Sequence, residues 1–521
     1  MSKVRTPGSP VTKSVGDPSD SYLTLLPMWK KSRAILQGET YAKSHDEFVS
    51  FDGSNLLIPF SPTMSQAQFE FYKHEAELPG LTSQYCRVLI SALLRKKSQL
   101  KLPDELGDEA LEWIEKDFTL DGQSLFNFLD NVIWEELQTS RAWIFVDYPD
   151  VSDVELEAMS DVEKEKIKPY PTIATAESVI NYQVKTHPVT KAKTLSRFVT
   201  RYLTETYEED NPWHPTYVDT VADHYLDEAG FFVIDLYKLN SVASEVEVNN
   251  GTVTKDYKDK SSLAFEKYAT ILPQMFGKRI SRIPAWPLNG QVEPIEPILM
   301  PLIDREVSLY NKVSRRNHLL YGAATYTPIV KSSMTDDEFN TLVSAGLGSW
   351  LRVREGEDIT VLETPTAALT DMDRAITSTV DEMAKMGIRM LSPEQDSSGV
   401  ALEIRNASQT AMLGTLNAKI SGTMSEVIAF MLNWKYDKDY TGNDVDFELS
   451  SDFSPMVGGD AAMQLITNWY QSGIISRDTF VRIAKYNDYL PANYNDEEAV
   501  IAIQTDPLIS NFNDDGVTVE E

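Results

Sequence analysis

Residues 301–322 read PLIDREVSLYNKVSRRNHLLYG and residues 403–434 read EIRNASQTAMLGTLNAKISGTMSEVIAFMLNW. What lies between these two helical stretches decides the fold. In the first stretch Leu302, Leu309, Val313 and Leu320 share one helical face, broadened by Ile303 and Val307, and Gly322 is expected to close the helix. An α/β insert follows. TYTPIV at 325–330 is strand-like, MTDDEFNTLVSAG is helical, and SWLRVREGEDITVLETP makes two strands around a turn at Glu355-Gly356-Glu357. Pro365 ends the insert. A second helix over 366–390 carries Leu369, Met372, Ile376, Val380, Met383 and Met390 at helical steps. Asp371 and Asp373 lie near its start and Lys385 and Arg389 near its end, as the helix dipole favours. After the polar run LSPEQDSSGVAL comes the long helix, about 48 Å if fully formed. Leu413, Leu416, Ile420, Met424, Val427, Met431 and Trp434 form its apolar stripe. Ala407, Ala411, Gly414, Ala418 and Gly422 form a second stripe of small side chains, a spacing that lets another backbone approach closely.

Helix, small α/β insert, returning helix, polar loop and long helix, in that order, resemble the core of tailed-bacteriophage portal proteins. Four phrases share the resemblance: VLETP at 361–365, DEMAKMGIRML at 381–391, LDGQSLFNFLDNVIWEELQTSRAWIFVDYP at 120–149 and QSGIISRDTFVRIAKYNDYLP at 471–491. The resemblance therefore runs through most of the chain, toward a portal family known largely as uncharacterised phage reading frames. It implies an α+β portal-type fold: a mixed α/β wing over 21–300, a stem helix at 301–322 and a small α/β clip at 323–365. A second stem helix at 366–390, a tunnel loop at 391–402, a long central helix at 403–434 and a wing or crown-like C-terminal region at 435–521 complete it. Residues 1–20 would be a disordered arm. By the same resemblance Glu394, Gln395, Asp396, Ser397 and Ser398 would border a DNA channel, and Ala411, Gly414, Ala418 and Gly422 would be helix-packing positions. The implied assembly is a homo-oligomer, a dodecamer ring at one capsid vertex of the virion, put together in the host cytoplasm. Its implied partners are the terminase large subunit, the major capsid and scaffolding proteins, a head-tail adaptor and double-stranded DNA in non-specific passage during packaging and ejection. No cofactor and no enzymatic activity are implied.

The bulk properties fit a non-catalytic acidic component. At 521 residues with 42% hydrophobic and 10% aromatic side chains the chain can bury several domains' worth of core. Lys and Arg number 48 against 79 Asp and Glu, a formal charge of −31. A protein that grips duplex DNA neutralises phosphates with a basic patch, and none is visible here. An acidic wall around moving DNA would instead keep phosphate from sticking. The single cysteine, Cys86, excludes an intrachain disulfide and sits at a helical core position. No run of about 18 apolar residues suggests a membrane span, and MSKVRTPGSPVTKSVGDPSD at the start has no apolar core of a signal peptide.

Before the stem, residues 21–140 are mainly helical, with PGLTSQYCRVLISALLRKK and DGQSLFNFLDNVIWEELQTS as amphipathic helices and AWIFVDYP as a buried strand. The charged stretch 151–170 is expected to be a solvated helix. KTLSRFVTRYLTETYE, FFVIDLYKLN and SEVEVNNGTVTKDYK alternate as strands, the last around Asn250-Gly251. Residues 435–521 contain 17 acidic and 5 basic side chains, a difference of −12.

Catalytic signatures are missing. Gly346-Leu347-Gly348 lacks the remainder of a phosphate loop, no Gly-Lys-Ser or Gly-Lys-Thr occurs, and no Ser/His/Asp order stands out. His45, His74, His187, His214, His224 and His318 lack metal-ligand spacing and read as surface or capping residues. One pattern stands against this. Asp437, Asp439, Thr441, Gly442 and Glu448 occupy positions 1, 3, 5, 6 and 12 of a calcium loop, although Asp444 stands at the usually apolar position 8 and VDFELSSDF afterwards looks like strand. A solvated acidic turn is the competing reading. Two rival functions remain open: a phage adaptor or scaffold that is not a portal, and a metal-dependent nuclease built on Asp437, Asp439 and Glu448.

Overall fold

The computed structural model describes residues 14–45, 47–49, 55–149, 159–160, 167–208, 211–239, 248–249, 252–253, 265–324, 327–331, 335, 337, 358–362, 367–386, 399–450, 460–472 and 476–486. Two compact units divide the chain at Ser451. The first opens with helices α1 (Asp20–Leu36), α2 (Glu39–Ser44), α3 (Gln66–Glu75) and α4 (Leu81–Leu93), the short strand β1 (Gln99–Lys101), and helices α5 (Asp108–Lys116) and α6 (Leu125–Thr139). Strands then dominate: β2 (Trp143–Asp147), β3 (Tyr170–Ala174), β4 (Val179–Thr186), β5 (Lys193–Glu208), β6 (Asn211–Leu226) and β7 (Phe232–Leu239). Shorter ones follow as β8 (Val248–Asn249), β9 (Thr252–Val253), β10 (Phe265–Ile271), β11 (Gln274–Met275), β12 (Lys278–Arg279) and β13 (Ala285–Pro287). The unit ends with α7 (Met300–Ala324), β14 (Thr327–Lys331), β15 (Asp358–Leu362), α8 (Ala367–Lys385), α9 (Gly399–Tyr436) and β16 (Asp446–Glu448). In the second unit α10 (Asp460–Gln471) and α11 (Arg477–Tyr486) pack through stacked rings of Tyr470 and Phe480, whose centroids are 4.9 Å apart.

Helix starts follow their sequence signals. Ser19, Ser65 and Ser124 each accept a backbone N–H with the side-chain hydroxyl, and at Ser65 the Gln68 side chain reaches back to complete a capping box. Two of the alternating segments, β5 and β7, join one antiparallel sheet in the order β10-β7-β6-β5-β4, the third gives the separate pair β8-β9, and β13-β2-β3 form another sheet. Trp143 and Phe145 of β2 meet Phe198 of β5, and Phe145 and Phe232 flank His224 of β6. His224 is thus a core residue, not the surface or capping residue expected from its lone position. Burial pushes its imidazole down to about 3. Helix α1 covers the larger sheet through Tyr22 and Trp29, which pack with Ala176, Ile180, Val199 and Val221. A buried ion triad fixes α1 to α6: the Arg33 guanidinium donates to both carboxylate oxygens of Glu135 and of Glu177, at 2.6 to 3.0 Å.

Strand β6 was not marked by alternation, because Pro212 and Pro215 interrupt it. Most of the charged stretch 151–170 lies outside the described residues; Ile167 at its end is buried and Tyr170 begins β3. Cys86 is fully buried in α4, as its helical position suggested.

Candidate functional site

The central elements build an arm anchored in the body. Helices α7 and α8 lie antiparallel. Arg305 pairs with Glu382 at 3.4 Å, Lys312 donates to the Thr379 hydroxyl, and Arg316 pairs with Asp373 at 2.7 Å, so numbers rise along one helix as they fall along the other. Strands β14 and β15 continue the pairing antiparallel from Thr327 opposite Leu362 to Lys331 opposite Asp358. Helix, strand, strand and helix therefore run out and back as one antiparallel arm. The expected inner helix of the clip and its strand near 350 lie outside the described residues.

Burial falls along α7, although the helix stays against α3 as far as Tyr321: His318 meets Glu75 at 3.3 Å and the Tyr321 ring lies 5.3 Å from that of Phe71. Leu302, Ile303, Leu309 and Tyr310 are buried, whereas Leu320 and Tyr321 are 45% and 50% exposed. Two sequence expectations are corrected here. Gly322 does not stop the helix, which runs on to Ala324, and Leu320 does not join the buried face. A glycine only weakens a helix unless the chain turns into a left-handed conformation there, and here it does not.

Polar side chains bolt the root of α7. Glu306, with no exposed surface, caps the start of α4 from another helix. Its carboxylate accepts the N–H groups of Gly80 at 2.8 Å, Leu81 at 3.2 Å and Thr82 at 3.1 Å, and the Thr82 hydroxyl at 3.0 Å. Burial raises its carboxyl above the usual range while those four bonds pull the other way. Asn311 holds the passing segment at 55–58, accepting from Ile58 N–H at 2.7 Å and donating to the Leu56 carbonyl at 2.7 Å. Neither residue was singled out in the sequence. A charged or amide side chain within an apolar stripe was the signal available for both.

The long helix α9 spans 38 residues, about 57 Å. Its apolar stripe is buried at Leu413, Ile420, Met424, Val427, Met431 and Trp434, with Leu416 half-buried. It begins at Gly399, so residues 399–402 belong to the helix and not to the preceding loop. A polar row at Asn417, Ser421 and Ser425 receives the returning chain. Ser425 and Ser421 accept the N–H groups of Phe447 and Leu449, and Asn417 donates to the Leu449 carbonyl at 3.1 Å. Strand β16, fixed this way along one edge, pairs on the other with β1.

Among the described residues, Gly414, Ala418 and Gly422 of the small-residue stripe have no close packing partner. A methyl group built at Gly414 or Gly422 would find no atom within 4 Å, and Ala418 is exposed. Close intrachain packing at these positions is therefore not what the glycines serve. The Ala411 side chain, and Glu394, Gln395, Asp396, Ser397 and Ser398, lie outside the described residues.

The acidic turn after α9 is organised by hydrogen bonds of its own. Asp437 adopts a left-handed backbone (φ 50°) that ends the helix. The Asp444 carboxylate accepts the Thr441 N–H at 2.8 Å and hydroxyl at 2.7 Å, and a Cβ at Gly442 would come within 3.1 Å of the Glu426 Cγ. Glu448 stands on β16 as an exposed residue opposite Gln99. Among the described residues no three His, Cys, Asp or Glu side chains gather as a metal site, so Asp437, Asp439 and Glu448 are not brought together. Among the described residues no helix is long and apolar enough to cross a membrane.

Residues 298–435 match a family described as a domain of unknown function, DUF4055. That stretch runs from just before α7 to the end of α9. No curated protein matches the chain. Among solved structures, a chain in the neck of an empty gene transfer agent (GTA) particle, computed with C6 symmetry, is 10% identical with a TM-score of 0.38, covering 78% of this chain and 90% of that one. A chain in the virion of a native gene transfer agent particle is 9% identical with a TM-score of 0.34, covering 79% and 90%. A chain in the neck of the native particle computed with C12 symmetry is 10% identical with a TM-score of 0.35, covering 77% and 89%.

Proposed function

We propose that this protein is the subunit of a phage portal ring. Copies of it would surround a channel at one capsid vertex, pass double-stranded DNA during packaging and ejection, and offer docking surfaces to a terminase and to head-completion proteins. The role is mechanical. The observation that carries the reading is the antiparallel arm α7-β14/β15-α8, after which the chain continues into the 38-residue α9. That arrangement projects two helices and a small sheet from a broad α/β body, with the root fixed by Glu306 and Asn311.

The stripe of Gly414, Ala418 and Gly422 supports assembly of copies. Small residues with no close partner among the described residues leave room for the backbone of a neighbour on α9. A formal charge of −31 suits a channel that must not adhere to phosphate. The nuclease alternative has little to stand on, since its three carboxylates do not converge.

Electron microscopy of the purified full chain tests the proposal. Closed rings with a central hole are the expected result. Discrete monomers or dimers at micromolar concentration would move the protein to the adaptor or scaffold class, and metal-dependent nicking of plasmid DNA would revive the nuclease.

A further inference from the structure

The larger sheet carries opposite charge at its two ends. Strand β5 is 16 residues long, about 50 Å, and is shared by two hairpins that project in opposite directions. At one end β4 and β5 run past the last pairing of β6, which stops at Tyr225 opposite Arg197. The turn beyond carries Lys185, Lys191 and Lys193, all exposed, with no acidic residue between 183 and 193. Its shape is set internally: His187 Nδ1 accepts the N–H groups of Val189 and Thr190, and the His187 N–H donates to the Ala192 carbonyl at 2.8 Å.

At the other end β5 and β6 continue alone as a two-stranded ribbon beyond both β4 and β7. This ribbon is aromatic and acidic. Trp213 is 85% exposed and Tyr207 59%, Tyr217 lies opposite Glu205, and the Tyr207 hydroxyl donates to Glu205 at 3.4 Å. Glu208 ends β5, and the two residues joining it to β6 in sequence are Glu209 and Asp210; no lysine or arginine occurs between 202 and 226. A two-stranded ribbon is marginal in water without a surface to lie on. Exposed Trp and Tyr on such a ribbon need a cover.

We infer that the acidic aromatic tip of β5–β6 docks on the lysine-bearing β4–β5 turn of a second copy of this chain, a head-to-tail contact repeated around the ring. The inference rests on the ring reading and gives that ring one of its subunit contacts. Complementary patches at opposite ends of one strand cannot meet within a molecule, because a strand does not fold back on itself. They can meet between neighbours, which is the heterologous geometry that closes rings. Lysine stems lie well on Trp and Tyr faces, and their ammonium groups gain both ring attraction and the Glu205 charge. DNA is the wrong occupant for an acidic tip, since phosphate would be repelled.

The test uses the full chain and reads the fraction of protein in rings by mass photometry, at one protein concentration for all variants. Glu205→Lys alone and K191E/K193E alone should each lower that fraction about tenfold, as should Trp213→Ala. The combined variant carrying Glu205→Lys with K191E/K193E should recover most of it, because the charges are exchanged and not lost. Added salt should weaken the wild-type contact as screening shortens the reach of these exposed charges. A zero-length carbodiimide cross-link between Glu205 and Lys191 or Lys193, found between isotopically distinct copies, would place the two patches together. Wild-type rings that persist unchanged in all single variants would overturn this contact and leave the ring standing. A wild-type chain that forms no ring would overturn the ring reading and this contact with it.

Discussion

Replacing Glu306 by alanine tests whether the arm is fixed to the body by its capping carboxylate. The side chain has no exposed surface and satisfies three backbone N–H groups and one hydroxyl at the start of α4. Loss of a helix N-cap costs about 0.5–2 kcal/mol. A buried donor left without a partner costs about 1–3 kcal/mol. Water entering the space freed at Glu306 can satisfy some donors, and removing the carboxylate also relieves the burial that raises its proton affinity. The net expectation is therefore a loss of about 3 kcal/mol, nearer one cap plus one donor than the sum of four. Native-state hydrogen exchange resolves it locally. Exchange at the amides of Gly80, Leu81 and Thr82 should rise about a hundredfold, the equivalent of that loss, and α7 up to Tyr310 should follow. Amides at 80–93 that exchange as in the wild type, with a change in unfolding free energy below about 0.5 kcal/mol, would show that Glu306 does not hold α4 and α7 together.

Gly414→Leu and Ala418→Leu should leave the monomer's melting temperature unchanged or slightly raised, since both positions face open space and leucine favours helix over glycine by up to about 1 kcal/mol. Ring yield by electron microscopy should fall in both, and unchanged yield would show that the stripe faces solvent in the assembly. Asp396→Lys is expected to assemble normally but to slow DNA packaging at low salt, with partial rescue at high salt; identical packaging rates at every ionic strength would place Asp396 away from the DNA path. Two buried groups should oppose each other in acid. Burial raises Glu136 from 4.5 to about 7, so its contribution is complete below 4.5 and is lost as pH rises through 7. His224 is lowered from 6.5 to about 3, so its contribution is present above 6.5 and is lost as pH falls. Between pH 7 and 5 Glu136→Gln should therefore lose about 2 kcal/mol relative to its own stability at pH 7, while the wild type changes little; matching profiles of the two proteins in urea unfolding would refute the Glu136 assignment, and a variant equally stable at pH 7 and 5 would refute that of His224.

Periodicity made the long elements readable. Leu302 and Leu309 gave the buried half of α7, Ile420 to Trp434 gave α9, and alternation gave β5 with its observed ends. Features that depend on partners distant in sequence were hidden. Strand β1 is three residues long and exists because Leu100 finds Phe447, a pairing no local pattern announces. Prolines at 212 and 215 masked β6, although a projecting ribbon tolerates them. His224 looked like a surface histidine until Phe145, Phe198 and Phe232 closed around it. The acidic turn matched a calcium pattern by composition, but Gly442 lies close to the Glu426 side chain and Asp444 bonds Thr441. Of the candidate assembly site, the order of arm and long helix was legible; Glu306, Asn311 and the Asn417-Ser421-Ser425 row were not, because polar residues on a helix show their purpose only when the opposing backbone is known.

The pairing of β1 with β16 joins residue 99 to residue 448 across the entire arm. During synthesis the N-terminal helices, the sheet, both legs of the arm and α9 all leave the ribosome before β16 does. Until then β1 has an open edge, and the Ser421 and Ser425 hydroxyls have no strand to receive. The last stitch of the body thus waits for nearly the whole chain. Premature termination before Asp446 would leave a subunit whose α9 is unsecured along one side, and such a fragment should be a poor competitor for places in an assembly. Chain completion becomes a built-in quality check: the subunits best prepared to associate are those whose translation has passed the final strand.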